Sequence, residues 1–209
     1  MKNGYFISFE GIDGSGKSTQ IKRLKAYLEE KGYDVVVTRE PGGTEIGEKI
    51  RKIILDPRNR NMSDMTEALL YAASRAQHVS EVILPAVEQG KIVICDRFVD
   101  SSIAYQGYGR KMGDCIKIIN RYAAGGIAPD ITFLMKLGTD AVDRRIGNRR
   151  KDRIELETEE FYKRVSAGYD ALTSAFPERI LSIDAGQSVS DIEKDIKSHV
   201  CRLMMGSHK

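Results

Sequence analysis

One stretch near the amino terminus restricts the fold more than any other: Tyr5 to Thr19, Tyr-Phe-Ile-Ser-Phe-Glu-Gly-Ile-Asp-Gly-Ser-Gly-Lys-Ser-Thr. An apolar run stops at a glycine-rich turn, and an amphipathic helix opens directly after it. Gly11, Gly16, Lys17 and Ser18 meet the spacing G-x-x-x-x-G-K-[ST], in which each residue type has a mechanical task. Glycines at positions 11, 14 and 16 permit backbone conformations closed to other residues, so successive N–H groups can turn inward on one anion. The helix starting near Ser18 aims its unpaired N–H groups and positive dipole end at the same point. Gly11, Ile12, Asp13, Gly14, Ser15, Gly16, Lys17, Ser18 and Thr19 are therefore expected to cradle the phosphates of a nucleotide. Lys17 should reach the β- and γ-phosphates, and the Ser18 hydroxyl should hold Mg2+.

Beyond this turn the sequence alternates between helical and extended patterns. Ile21, Leu24, Tyr27 and Leu28 recur at helical spacing before Gly32, and residues 34–38 read as a buried strand. A short helix over 45–55 and a longer one over 64–89, capped by Ser63 and bent at Pro85, come next. Residues 91–96, 130–135 and 179–184 read as strands. Helices are expected over 101–107, 113–124, 139–147, 158–174 and 188–204. This order implies an α/β fold: a five-stranded parallel sheet with helices on both faces and right-handed crossovers. Strand order does not follow from the pattern.

At 209 residues the chain suits one domain over 1–209, large enough to bury a core without disulfides or structural metal. A net charge of +3 is too weak for general nucleic-acid or membrane binding. Cys95, Cys115 and Cys201 are widely spaced and form no C-x-x-C pair, so reduced thiols in a cytoplasmic protein are the simpler reading. No run approaches the length of a membrane span.

Asp96 ends an apolar strand, as a Walker-B acid does, and is placed to hold Mg2+ opposite Ser18. Arg97 follows it directly, and a guanidinium there suits bidentate capture of a second phosphate. Between Arg144 and Arg153 six basic residues face only Asp152, and arginines on a mobile loop can neutralise a phosphoryl group while excluding water. No general base is obvious. None is needed if the acceptor is itself a phosphate, because its second pKa near 6 leaves an anionic oxygen at neutral pH. Tyr71 and Arg75 share a helix face. Ser101, Ser102, Tyr105 and Gln106 gather polar groups and a ring just after Asp96-Arg97.

Together these residues resemble the thymidylate kinase family, from about Phe6 to Ala185. Its marks are Phe-Glu-Gly-Ile-Asp-Gly-Ser-Gly-Lys-Ser-Thr, Thr-Arg-Glu-Pro-Gly-Gly-Thr, Tyr-Ala-Ala-Ser-Arg, Asp-Arg-Phe followed by Asp-Ser-Ser-Ile-Ala-Tyr-Gln-Gly, Pro-Asp-Ile-Thr and Asp-Arg-Ile-Glu. The Arg-Glu-Pro-Gly-Gly and Ser-x-x-x-Tyr-Gln-Gly elements are the specific ones. The resemblance implies a P-loop NTPase fold with an arginine-rich lid over about 144–155. It implies transfer of the ATP γ-phosphate to dTMP with Mg2+, by a homodimer. By motif, Tyr71 would stack on thymine, and Arg75 and Gln106, assisted by Ser102, would read its polar edge. Tyr105 would crowd the ribose 2′ position, Asp13 would approach the 3′-hydroxyl, and Arg97 would hold the dTMP phosphate. Glu40 and Arg51 complete that pocket. Gly14-Ser15 stands where one branch of the family has a P-loop arginine, so the chain resembles the bacterial branch with catalytic lid arginines. Arg149 and Arg153, ahead of Arg145 and Arg150, then join Lys17 and Arg97 as the catalytic set. Phe98 stands where tyrosine or histidine often follows Asp-Arg.

Two other readings fit part of the pattern. One is a kinase for a different nucleoside monophosphate; a nucleoside acceptor would need a general base. The other is a P-loop nucleotide switch, against which stand the missing N-K-x-D and the absence of D-x-x-G outside the phosphate loop.

Overall fold

The computed structural model describes residues 4–137 and 152–206. Five strands form one parallel sheet: β1 (Tyr5–Glu10), β2 (Val35–Arg39), β3 (Ile92–Asp96), β4 (Ile131–Lys136) and β5 (Ile180–Asp184), in the order β2-β3-β1-β4-β5. The central strands read as continuous apolar runs because helices cover both faces of the sheet. Ile92, Val93, Ile94 and Cys95 are each at most 1% exposed.

Side chains alternate across the sheet along β1. Ile7 and Phe9 pack with Leu24 and Leu28 of α1 (Lys17–Glu30) and with Ile196 and Val200 of α8 (Val189–Gly206). Phe6 meets Phe98 edge-on on the other face, beside Val79 and Ile83. Ser8 bonds Thr132 across β1 and β4 at 2.7 Å, so its buried hydroxyl is satisfied.

The helix expected over 64–89 is a continuous rod whose character changes along its length. α3 (Asp64–His78) passes through a π-helical turn, Val79–Ile83, into α4 (Leu84–Glu88). Pro85 has no N–H and crowds the preceding turn. The ladder widens there, and Leu84 N–H reaches Val79 O five residues back. A second π-helical stretch, Ile103–Gly109, extends the short α5 (Val99–Ser102) where an ordinary helix over 101–107 is expected. α2 (Glu45–Leu55), α6 (Cys115–Ala123) and α7 (Glu159–Ala175) agree with expectation to within two residues at each end. The helix expected over 139–147 and most of the lid lie outside the described residues. No helix of the described residues is long and apolar enough to cross a membrane.

Candidate active site

Both clefts of the site open at the carboxyl ends of β1 and β3, where open α/β sheets place ligands. The loop from β1 to α1 has Gly11, Gly14 and Gly16 at φ 125°, 78° and 93°. A Cβ on Gly11 would sit 2.5 Å from the Met135 carbonyl oxygen, so the loop can lie against β4 only with glycine there. The first turn of α1 has no acidic residue and no side-chain cap. Its N–H groups and dipole are thus left for an anion. Lys17 is 5% exposed and donates to the carbonyls of Gly11 and Ile12 at 2.9 and 3.1 Å. Burial and then the nearby Arg97 charge lower its pKa to about 8, against the opposing pull of Asp96, Asp13 and Glu10.

Loop residues 13–19 and Asp96 line a cleft of 530 Å³. Within it the Ser15 hydroxyl and Asp96 Oδ1 are buried with no hydrogen-bond partner among the described residues. Ser18 is exposed, at the head of α1. An open carboxylate oxygen and the hydroxyls lining the same cleft are oxygen donors of the kind that suits Mg2+, a hard cation.

Arg97 follows Asp96 in sequence but lines a different cleft. Its backbone has φ 72°, which costs a non-glycine residue about 1–3 kcal/mol. Three contacts hold this turn: Arg97 N–H to Phe9 O at 2.9 Å, Phe98 N–H to Glu10 Oε1 at 2.7 Å, and Cys95 Sγ to Arg97 O at 3.0 Å. The guanidinium donates to Asp13 at 3.0 Å and to Ser101 at 3.2 Å, with its carbon 5.3 Å from the Tyr105 ring centre. Glu10, wholly buried, also accepts from Ser101 Oγ and from Tyr169 Oη. Burial and then the Asp100 charge push its pKa up to about 7.

Nine positions expected from the sequence to contact the acceptor line this second cleft together: Asp13, Glu40, Arg51, Tyr71, Arg75, Arg97, Ser102, Tyr105 and Gln106. Asp13 lines both clefts, so they meet at the phosphate loop. Arg75 is 1% exposed; it donates to Glu40 at 2.7 Å, to Ser102 at 2.9 Å and to Asn120. Arg51 donates to Pro41 O at 2.8 Å.

Over residues 9–196 the chain matches the family model described as thymidylate kinase. The chain belongs to the thymidylate kinase family. It is 52% identical over 194 residues to the thymidylate kinase of Thermoanaerobacter sp. (strain X514), covering 92% of this chain and 95% of that one. It is 49% identical to the thymidylate kinase of an Exiguobacterium species over 207 residues, with 98% of each chain covered. The crystal structure of thymidylate kinase from Ehrlichia chaffeensis superposes with a TM-score of 0.78 at 35% identity, covering 95% of this chain and 98% of that one. The reaction is accordingly that of a thymidylate kinase, a phosphotransferase with ATP as donor and dTMP as acceptor.

Within this thymidylate kinase framework one expected site residue is engaged elsewhere. Arg153 is 7% exposed and is not among the residues lining either cleft. It donates to Glu67 at 2.7 Å and to Ile54 O at 2.7 Å, and its own N–H bonds Leu55 O at 3.1 Å. Its charge thus fastens the end of the lid to α2 and α3 in this structure. Arg149, the other lid arginine expected to act, lies outside the described residues.

Sequence reasoning gave no role to Glu10, Glu67 or Asp152, although Asp152 lines the second cleft. Glu10 carried a readable signal, since it ends an apolar strand as Asp96 does. Glu67 carried none beyond its position on an amphipathic helix, where an acid is ordinarily exposed.

Proposed function

We propose that the first cleft takes the ATP phosphates, that the second takes dTMP, and that catalysis consists of aligning the two at Asp13, Lys17 and Arg97. The observation that carries this reading is the position of Asp96 and Arg97, consecutive residues at one strand end, on the two clefts that share Asp13.

The N–H groups of the loop 11–19 and Lys17 neutralise the donor's phosphates. Arg97, held by Asp13 and Ser101, grips the acceptor phosphate, one of whose oxygens attacks the γ-phosphorus. That acceptor is already anionic at neutral pH, so no side chain has to remove a proton. Fixed positive charge on both sides stabilises the transferring group, and Arg149 is the lid arginine we assign to the same task. Bound at Ser18 and Asp96, Mg2+ would supply further neutralisation of the donor's phosphate charge. Tyr71 stacks on the base, Arg75, Gln106 and Ser102 read its edge, and Tyr105 disfavours a 2′-hydroxyl. Glu40 and Arg51 shape the floor of the pocket.

The chain works as one cytoplasmic kinase domain and pairs with a second copy of itself. Ile46 and Ile53 on α2, Met65 and Leu69 on α3, and Ile118 and Tyr122 on α6 are exposed, and α3 packs against both α2 and α6. Apolar surface of this extent supports an interface, and sedimentation equilibrium at micromolar concentration should return twice the chain mass.

Initial rates of ADP formation with dTMP, dUMP, UMP, CMP and AMP test the acceptor assignment. Turnover should require the acceptor and be fastest with dTMP. Preference for a ribonucleotide, or ATP hydrolysis indifferent to dTMP, would refute it.

A further inference from the structure

Glu67 contacts neither cleft, yet the donors of three side chains converge on its carboxylate inside the protein. It is 1% exposed on α3. Its Oε1 accepts from Gln106 Nε2 at 2.9 Å and from Arg110 Nε at 3.3 Å. Its Oε2 accepts from Arg110 Nη2 at 2.9 Å and from Arg153 Nη2 at 2.7 Å. Burial alone would favour the protonated form, but the hydrogen bonds and charge of Arg110, with Gln106 and Arg153, hold the carboxyl below its ordinary range. Glu67 is therefore ionised, and an ionised carboxylate only accepts.

This fixes the chemistry that Gln106 offers to the acceptor. A primary amide has a donor end and an acceptor end, exchanged by a half-turn. Here the donor end is committed to Glu67, and no hydrogen bond from a described residue reaches Oε1. Gln106 lines the acceptor cleft, so its carbonyl is the end left for a ligand. Arg75, lining the same cleft, can only donate. The two side chains together offer one acceptor and one donor. Thymine presents the complementary pair, an N3–H donor beside an O4 acceptor. Cytosine presents the inverse, an N3 lone pair beside an exocyclic amine, and would set lone pair against carbonyl and N–H against guanidinium.

We propose that Glu67 is a specificity-determining positioning residue: by holding the Gln106 amide in one orientation it admits a base with N–H beside carbonyl and rejects the reverse pattern. The proposal rests on the reading of the second cleft as the dTMP site.

The test is Glu67→Gln assayed with dTMP and 5-methyl-dCMP, which share sugar, phosphate and ring methyl and differ only at ring positions 3 and 4. An amide at position 67 can donate or accept, so the Gln106 amide gains its flipped orientation. The ratio of kcat/KM for dTMP over 5-methyl-dCMP should fall by about 10- to 100-fold. In a Gln106→Ala background the same substitution should leave the ratio where Gln106→Ala alone puts it. An equal loss with both substrates would mean that Glu67 only supports the fold, and would overturn the proposal.

If Glu67→Gln does not fold, wild-type protein labelled with 15N-glutamine decides. The Gln106 NH2 signals, assigned by their loss in Gln106→Ala, should exchange slowly with water both free and with dTMP bound. Free exchange in the unliganded protein would overturn the proposal. A wild type inactive on dTMP would instead refute the assignment of the cleft, and the exchange measurement needs no turnover, so the two failures stay apart.

Discussion

Replacing Glu40 by alanine would leave one of the most deeply buried positive charges in the molecule without its counter-ion. The Arg75 side chain is 2% exposed and that of Glu40 is 3% exposed. Arg75 Nε and Nη2 both approach Glu40 Oε2 at 2.7 Å, while Oε1 engages His78 at 3.0 Å. Without the carboxylate, Arg75 keeps the neutral acceptors Ser102 and Asn120 and the Phe98 ring, 5.2 Å away. Neutral dipoles do not replace a counter-ion for a guanidinium this deeply buried, and breaking a buried pair on one side costs about 3–5 kcal/mol. At about 2–4 °C per kcal/mol for a chain of this size, Tm should drop by about 6–20 °C. Denaturant unfolding and calorimetry without nucleotide measure the effect. The double variant Glu40→Ala with Arg75→Met removes the stranded charge and should recover part of the loss. A single variant within 1 kcal/mol of wild type, or a double variant costing the sum of the two singles, would refute this reasoning. Because Arg75 lines the acceptor cleft, KM for dTMP should rise in the single variant while KM for ATP holds.

Glu10→Gln should flatten the pH dependence of stability. Its folded pKa of about 7 exceeds the ordinary 4.5, so the folded state holds this proton more tightly. Its contribution is full below about pH 4.5 and is lost as pH rises through about 7, a change on the order of 3 kcal/mol; denaturant midpoints across that window that vary alike in both proteins would contradict this. Arg97→Ala should raise KM for dTMP and lower kcat, since both grip and alignment go; unchanged dTMP affinity by calorimetric titration would remove Arg97 from the acceptor phosphate. Gly109→Ala would bring a Cβ within 2.7 Å of Phe161 and 3.0 Å of Val165, both buried. Overpacking of this kind costs about 1–3 kcal/mol, read as a lower urea midpoint with an unchanged slope.

Much of the fold was legible because its determinants are local. Apolar runs such as 92–95 announce strands buried on both faces, and the glycine spacing around Lys17 announces the turn between strand and helix. Strand order was not legible, because each parallel strand of this composition could pair with any other, and the order β2-β3-β1-β4-β5 is settled by crossovers between segments far apart in sequence. The π-helical turns escaped for a related reason. Pro85 signals a disturbance, but whether the rod kinks or widens depends on what Val79 and Ile83 pack against. At the site, residues that face the clefts were found by their motifs. Those that act behind them, Glu10 under Arg97 and Glu67 behind Gln106, were not, since a buried acid and an exposed one look alike in a sequence. Arg153 meets the same limit: its charge suggested a ligand, and the sequence gives no sign of the bond to Glu67, 86 positions away.

The end of β3 has a consequence for how this protein could be altered. Asp96 faces one cleft and Arg97 the other, joined by a single trans peptide that sets their Cα atoms about 3.8 Å apart. The two clefts are thus tied to each other at this point by a covalent dimension rather than a packing distance. Helices and lid can drift over time or in an engineered variant, changing which nucleotide enters and how fast it leaves. That tie stays as the strand end made it, so a redesign that moves one cleft against the other has to reckon with this peptide first.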